Sequence, residues 1–303
     1  MDLHQFIERG DYIDEFKKHR VVYRKYPHYK LMVVKRAYGL PYSEDTPWLN
    51  YCRGLVIDYE NHKVVFCPVP KSQELQTFDD IAAITDSTTA TDTATDTATD
   101  TTIDTTIDTY TELIDGTMVN LFYHAESDEW LRSTRSTIGC NNQWIGDMTF
   151  TQMFDECGPS INYNSLQKTS TYSFVMRHTK NRNMTPVKDN ELYLIEVRDK
   201  GELIHPTPEC PEQSYRTPTL ISSGNLSKDA FSHMYKGYTI TKQGTRYKWI
   251  TGDCKFIQMI KPNTNNPFLN YLMLRYSGHL TNYLQLFPEE RFKFSSYCSR
   301  RFI

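Results

Sequence analysis

The stretch Tyr-Thr-Glu-Leu-Ile-Asp-Gly-Thr-Met-Val-Asn-Leu-Phe-Tyr occupies residues 110–123, and Asp115-Gly116 stands at its centre. By residue type this is a tight turn leading into a strand, because an Asp-Gly pair precedes the apolar and β-branched run from Met118 to Tyr123. Basic residues lie on both sides of it. Arg53 opens Arg-Gly-Leu-Val-Ile-Asp, and Lys71 closes Cys-Pro-Val-Pro-Lys. Arg135 sits within Leu-Arg-Ser-Thr-Arg-Ser-Thr-Ile-Gly over 131–139, and Lys248 within Arg-Tyr-Lys-Trp-Ile-Thr over 246–251. Arg177, Lys180 and Arg182 follow one another closely. A single such residue is chemically bland, since an arginine at a strand start often pairs with a surface carboxylate.

The distribution of charge makes the set more pointed. The 303 residues carry a net charge of −3, yet Ser72 to Leu131 contains no Lys or Arg and fourteen acidic residues, which leaves +11 for the rest of the chain. A basic body with one acidic excursion suits a polyanionic partner such as RNA or a nucleotide. The bland alternative is a scattered, solvated surface. The seven cysteines include no Cys-x-x-Cys pair, and read as reduced thiols of an intracellular, cytoplasmic protein. The first residues are too polar for a signal peptide, and no run of eighteen apolar residues spans a bilayer, so no membrane partner is expected.

The elements that must position these residues follow from periodicity. Leu3, Phe6 and Ile7, then Tyr12, Ile13 and Phe16, recur at helical spacing. Val21–Tyr23, Leu31–Val34 and Arg53–Asp58 read as strands, and Asn61-His62 turns the last into an antiparallel return over Val64–Phe66. Residues 144–168 read as one or two helices with Trp144, Ile145, Met148, Phe150, Met153 and Phe154 inward, and 192–198 as a strand. Apolar residues from Pro267 to Phe287 predict C-terminal helices. Residues 85–109 repeat Thr-Ala-Thr-Asp three times and Thr-Thr-Ile-Asp twice. So little apolar surface cannot offset the entropy of ordering, and the tract is expected to be a disordered acidic loop. These elements mix helices with strands, one pair of which returns antiparallel.

Taken in order, these segments resemble the nucleotidyltransferase domain of ATP-dependent RNA ligases, most closely the phage RNA ligase 1 type. The resemblance covers about residues 50–260. It rests on Arg53-Gly54, the segment ending at Lys71, Glu112-Leu-Ile-Asp-Gly-Thr117, the 131–139 strand, Asn181-Arg182, Lys236-Gly-Tyr-Thr-Ile240 and Lys248. It implies an α+β fold of twisted antiparallel sheets flanked by helices, with a ligase-type nucleotidyltransferase domain over 1–262 and a helical appendage over 263–303. It also implies ATP and Mg²⁺ as cofactors of an active member, and a lysine that attacks ATP and carries AMP. The phosphate- and nucleotide-binding positions it implies are Arg53, Lys71, Asp115, Gly116, Arg135, Arg182 and Lys248.

The departures fall on the chemistry. Leu113 stands at the nucleophile position, Val175 where the family has a glutamate, Lys236 where it has a metal-associated glutamate, and Ile250 in place of a second lysine. An amine nucleophile works through its nitrogen lone pair, and leucine has none. An ammonium at Lys236 is expected to repel a cation. The favoured expectation is a pseudoenzyme that binds RNA or nucleotide, with no catalytic residue and no metal ligand. An active nucleotidyltransferase with a relocated nucleophile, and an interaction protein keeping only the fold, remain open.

Overall fold

The computed structural model describes residues 2–37, 39–86, 109–143, 146–199, 202–204, 215–226, 236–242 and 245–298. The repetitive tract lies almost wholly outside the described residues, as do Trp144 and Ile145.

Two helices, α1 (Leu3–Glu8) and α2 (Tyr12–Lys18), form from the first apolar-periodic stretch. Gly10 separates them at φ +78°, a conformation glycine adopts without a Cβ penalty. Strands β1 (Val21–Tyr26), β2 (Leu31–Arg36), β3 (Arg53–Asp58) and β4 (Lys63–Phe66) then make an antiparallel sheet in chain order. Its centre is buried on both faces. Met32, Val34, Leu55 and Ile57 pack under α1 and α2, while Leu31, Val33 and Val56 meet Phe122 and Leu131 of a second sheet.

The chain next forms β5 (Gln73–Leu75) and α3 (Asp79–Asp86), and resumes at β6 (Thr109–Glu112), β7 (Thr117–His124) and β8 (Glu129–Ser133). Helix α4 (Phe150–Cys157) follows, and is shorter than the helical region expected over 144–168. Thr149 fixes its start, because Thr149 and Gln152 form a reciprocal capping box. Strands β9 (Ser170–Arg177), β10 (Glu191–Asp199) and β11 (Glu202–Ile204) complete the second sheet, in the order β11-β10-β9-β7-β8. One face buries Val119, Leu121, Phe174, Met176, Leu192 and Leu194 under Phe150, Met153 and Phe154 of α4.

Strands β12 (Gly237–Lys242) and β13 (Thr245–Ile250) join β5 and β6 in a third sheet ordered β5-β13-β12-β6, with β5 parallel to β13 and the other pairings antiparallel. Its two faces differ sharply. Leu75, Tyr110, Tyr238, Ile240 and Trp249 pack against Ile81 of α3. Side chains alternate along a strand, so Thr109, Thr111, Thr239, Thr241, Arg246 and Lys248 share the opposite face, as the cross-strand register confirms.

Helices α5 (Gly252–Ile260), α6 (Pro267–Tyr276), α7 (Leu280–Leu286) and α8 (Arg291–Cys298) end the described chain. Ile257 and Ile260 of α5 share one core with Tyr271, Leu274, Tyr283, Phe287 and Phe294. The α+β class with antiparallel sheets, expected from the sequence, is the class observed. Among the described residues no helix is long and apolar enough to cross a membrane.

Candidate functional site: a cleft between two sheets

Asp115 is the best-anchored polar residue of the region, with only 4% of its surface exposed. Its Oδ2 accepts from the backbone N–H groups of Met184 (2.7 Å) and Thr185 (2.9 Å), and its Oδ1 lies 3.0 Å from the Lys236 ammonium. Burial pushes the carboxyl pKa upward, but Lys236 and the two N–H donors outweigh burial and hold it below the ordinary carboxylate value. Gly116 follows because a strand passes too close for any side chain. A Cβ there would meet the Met176 carbonyl oxygen at 2.4 Å. The Asp-Gly turn thus ties β7 to the 184–185 segment and to the residue preceding β12.

The next residues form a wall of a cleft. Between the polar face of the third sheet and the uncovered face of the second lies a cavity of about 560 Å³. Leu113, Ile114, Met118, Val175 and Ile195 line its apolar side, and Thr111, Thr239, Thr241 and Arg246 the other. Two of the four positions at which the chain departs from the ligase pattern, Leu113 and Val175, therefore meet in one cavity. Leu113 is held there through its backbone, whose N–H donates to the Gly237 carbonyl at 2.9 Å. Glu196 and Arg246 also line the cleft, and neither has a sequence signal that marks it. Arg198 donates to Glu196 at 2.6 Å, and Arg246 lies 4.0 Å from the same carboxylate. Among the described lining residues there is no lysine, cysteine or histidine to act as nucleophile.

Lys248 projects from β13 on the same face as Arg246, opposite Thr239 on β12 and beside Glu74 on β5. It is ion-paired to Glu74 at 2.9 Å. Lys71 lies within the field of Arg53, Lys248 and Arg135. Burial first, then repulsion from Arg53, Lys248 and Arg135, lowers its pKa against the opposing pull of Glu74. Arg53, Lys248 and Arg135, from three other segments, thus act electrostatically on Lys71. Lys35, which the sequence does not single out, adds to them. It pairs with Arg53 across the sheet and reaches Ser136 Oγ at 3.0 Å.

The turn carrying Arg135 is held against β3 by an intimate backbone contact. Gly54 has φ +107°, and a Cβ on it would stand 2.9 Å from the Thr134 carbonyl oxygen and 3.0 Å from Arg135 Cα. Arg135 itself donates to the Arg36 carbonyl at 2.7 Å. A Gly54→Ala substitution is expected to cost about 1–3 kcal/mol of stability through backbone strain, and to displace Arg135. A urea titration checks the first effect, and trypsin cleavage after Arg135 the second. A fully stable variant with unchanged cleavage would show the turn to be pliable.

Arg182 does not join this group. It pairs with Glu289 at 2.8 Å and lies over the Phe287 ring at 4.2 Å, so it ties the sheets to the C-terminal helices. Lys261 stands on the same ring and donates to the Arg182 and Asn183 carbonyls, and burial pushes its pKa down to about 8. Asn181 donates to Thr117 Oγ1 at 2.9 Å and serves the start of β7. Lys236, where a metal-repelling ammonium is expected, acts here as the counter-ion of Asp115. Ile250 is buried.

No family model matches the sequence, and no curated protein matches it. Among solved structures, a protein from Aquifex aeolicus described as a candidate ATP-dependent DNA ligase is similar in outline. The two chains are 13% identical, the match covers 94% of this chain and 74% of the other, and the TM-score is 0.49.

Proposed function

We propose that this protein binds the phosphate groups of a nucleotide or an RNA strand at the cleft and does not transfer adenylyl groups. The observation that carries the reading is that Lys248 shares a sheet face with Arg246, which lines the cavity holding Leu113 and Val175, while Arg53, Lys248 and Arg135 all act on Lys71. Grouping like charges opposes folding, and an arriving phosphate relieves their repulsion through charge-assisted hydrogen bonds. The apolar interior beside them suits a flat, weakly polar group such as a base. The resemblance of the motif order to RNA ligases supports the same partner class.

The absence of adenylyl transfer follows from the cavity's chemistry. Attack on an α-phosphate needs a neutral amine held in line with the leaving pyrophosphate. Leu113 cannot supply one. Incubation with ATP and Mg²⁺ or Mn²⁺ should give no AMP adduct by intact mass, while ATP or a short RNA binds reversibly. A covalent adduct would overturn the reading and make the protein an active nucleotidyltransferase. Lys71, whose surroundings already favour loss of its proton, is the first lysine to map in that event.

A further inference from the structure

Glu196 reaches the cleft through an irregularity in β10. The pairing of β10 with β9 slips between Leu194 and Glu196, which leaves Ile195 without a cross-strand partner. Such a bulge shifts the alternation of side chains by one residue. Leu194 packs under α4, while Ile195 and Glu196 both line the cleft. Arg198 anchors the carboxylate by donating to Oε1 at 2.6 Å, and Oε2 lies 4.0 Å from Arg246. That separation is too long for a hydrogen bond, and among the described residues no hydrogen bond fixes the Arg246 guanidinium. Thr239 supplies a second unmet donor. It is 3% exposed, lines the same cleft, and its hydroxyl has no hydrogen-bond partner among the described residues. A buried hydroxyl left in this way costs free energy, which an acceptor would recover. Thr241 stands opposite Arg246 and Thr239 opposite Lys248, so Thr239 is a diagonal neighbour of Arg246, within reach of its long side chain.

We propose that the cleft takes the lactam edge of an oxopurine or oxopyrimidine base, its carbonyl oxygen accepting from Arg246 and Thr239 and its adjacent ring N–H donating to Glu196. This rests on the reading of the cleft as a nucleotide site, and names the class of base. A carbonyl oxygen has two lone pairs and answers both donors, while the carboxylate of Glu196 only accepts. Leu113, Met118, Val175 and Ile195 give the flat ring an apolar wall. Guanine, hypoxanthine and uracil carry such an edge. Adenine places an amino group and an unprotonated ring nitrogen there. That nitrogen has a single in-plane lone pair, so one of the two donors stays unmet, at a cost to binding.

Isothermal titration calorimetry on the full chain tests this with inosine triphosphate and ATP, which share the phosphate tail and differ only along that edge. Inosine triphosphate should bind about tenfold tighter, because a site made to hydrogen-bond one edge leaves polar groups unpaired on another. GTP should follow inosine triphosphate. Thr239→Val keeps the shape of the side chain and removes the unpartnered hydroxyl. It should weaken inosine triphosphate by about fivefold, the scale of one hydrogen bond, and leave ATP within about twofold. Its melting temperature should not fall, since no bond within the protein is lost. ATP bound as tightly as inosine triphosphate, or more tightly, overturns the inference and leaves the nucleotide-binding reading standing. A folded Thr239→Val chain that keeps the parent's full preference overturns it too. No binding of either triphosphate removes nucleotide binding and this inference together.

Discussion

A Lys236→Met protein should be about 3–5 kcal/mol less stable than the parent at neutral pH, the usual cost of removing one partner from a buried ion pair. Asp115 is almost wholly enclosed, and Lys236 is only 19% exposed, so water cannot step in to solvate the orphaned carboxylate. Met184 and Thr185 would still donate to Asp115, which sets a limit on the loss. The pH dependence has a definite sign. In the parent the folded-state pKa of Asp115 lies below its unfolded value, so its contribution to stability is present above the unfolded pKa and is lost as pH falls through the folded value. In the variant burial acts without the counter-ion and moves that pKa upward, so the gap between the two proteins should narrow on acidification. Urea titrations at pH 7 and pH 4 measure this. A loss under about 1 kcal/mol, or one independent of pH, would mean that the pair is solvated. Replacing Asp115 as well, by leucine, should recover only part of the loss, because two backbone N–H groups would then lack their acceptor.

The same residues mark how far the sequence alone can be read. Local signals carried the strands well: the Asn61-His62 turn, the Asp115-Gly116 turn and the alternation through β2 and β3 are nearest-neighbour facts. The start of α4 was also legible in principle, since the Thr149/Gln152 capping box is a local pattern, yet apolar spacing pulled the expectation several residues either way. Helix α5 follows directly on β13, and its Thr251 cap lies within a segment that reads as strand. The reason for Gly116 was not legible, because it depends on the Met176 carbonyl, sixty residues away. Arg53, Lys71, Arg135 and Lys248 were singled out one by one through motif order, but the electrostatic influence of the other three on Lys71 is a product of sheet packing. Arg182 went elsewhere because Glu289 and Phe287 claim it from a helix-rich segment more than a hundred residues downstream. For Lys236 a charge reversal was visible and its partner was not. The buried Glu196 and the half-buried Arg246 read as ordinary strand residues until two sheets were placed face to face.

Reversing two of these charges, Arg135→Glu with Lys248→Glu, should weaken binding of a short single-stranded RNA by about 100-fold or more at low salt. Each phosphate contact is worth on the order of 1–1.5 kcal/mol, and an inward-facing carboxylate replaces each lost contact with repulsion of similar size. The wild-type protein should show affinity that falls steeply with salt, because each cation on a phosphate releases counterions, with a slope near −0.7 per contact for a single strand. Four contacts give a slope of roughly −3, and the double variant should retain half of it or less. Beyond the one base held in the cleft, sequence should matter little, since no further base-reading element is evident. Two features of the site call for controls. Glu74 loses its Lys248 partner in the variant, and Arg135 gives up its bond to the Arg36 carbonyl, so the variant's melting curve must be compared with the parent's. Lys248→Met alone separates loss of the contact from the added repulsion, and should fall between parent and double variant. Fluorescence anisotropy at several salt concentrations reads all of these. RNA that binds the folded double variant as well as the parent, or fails to bind the parent at low salt, would show that the clustered cations serve the packing of the sheets and that the cleft holds no polyanion.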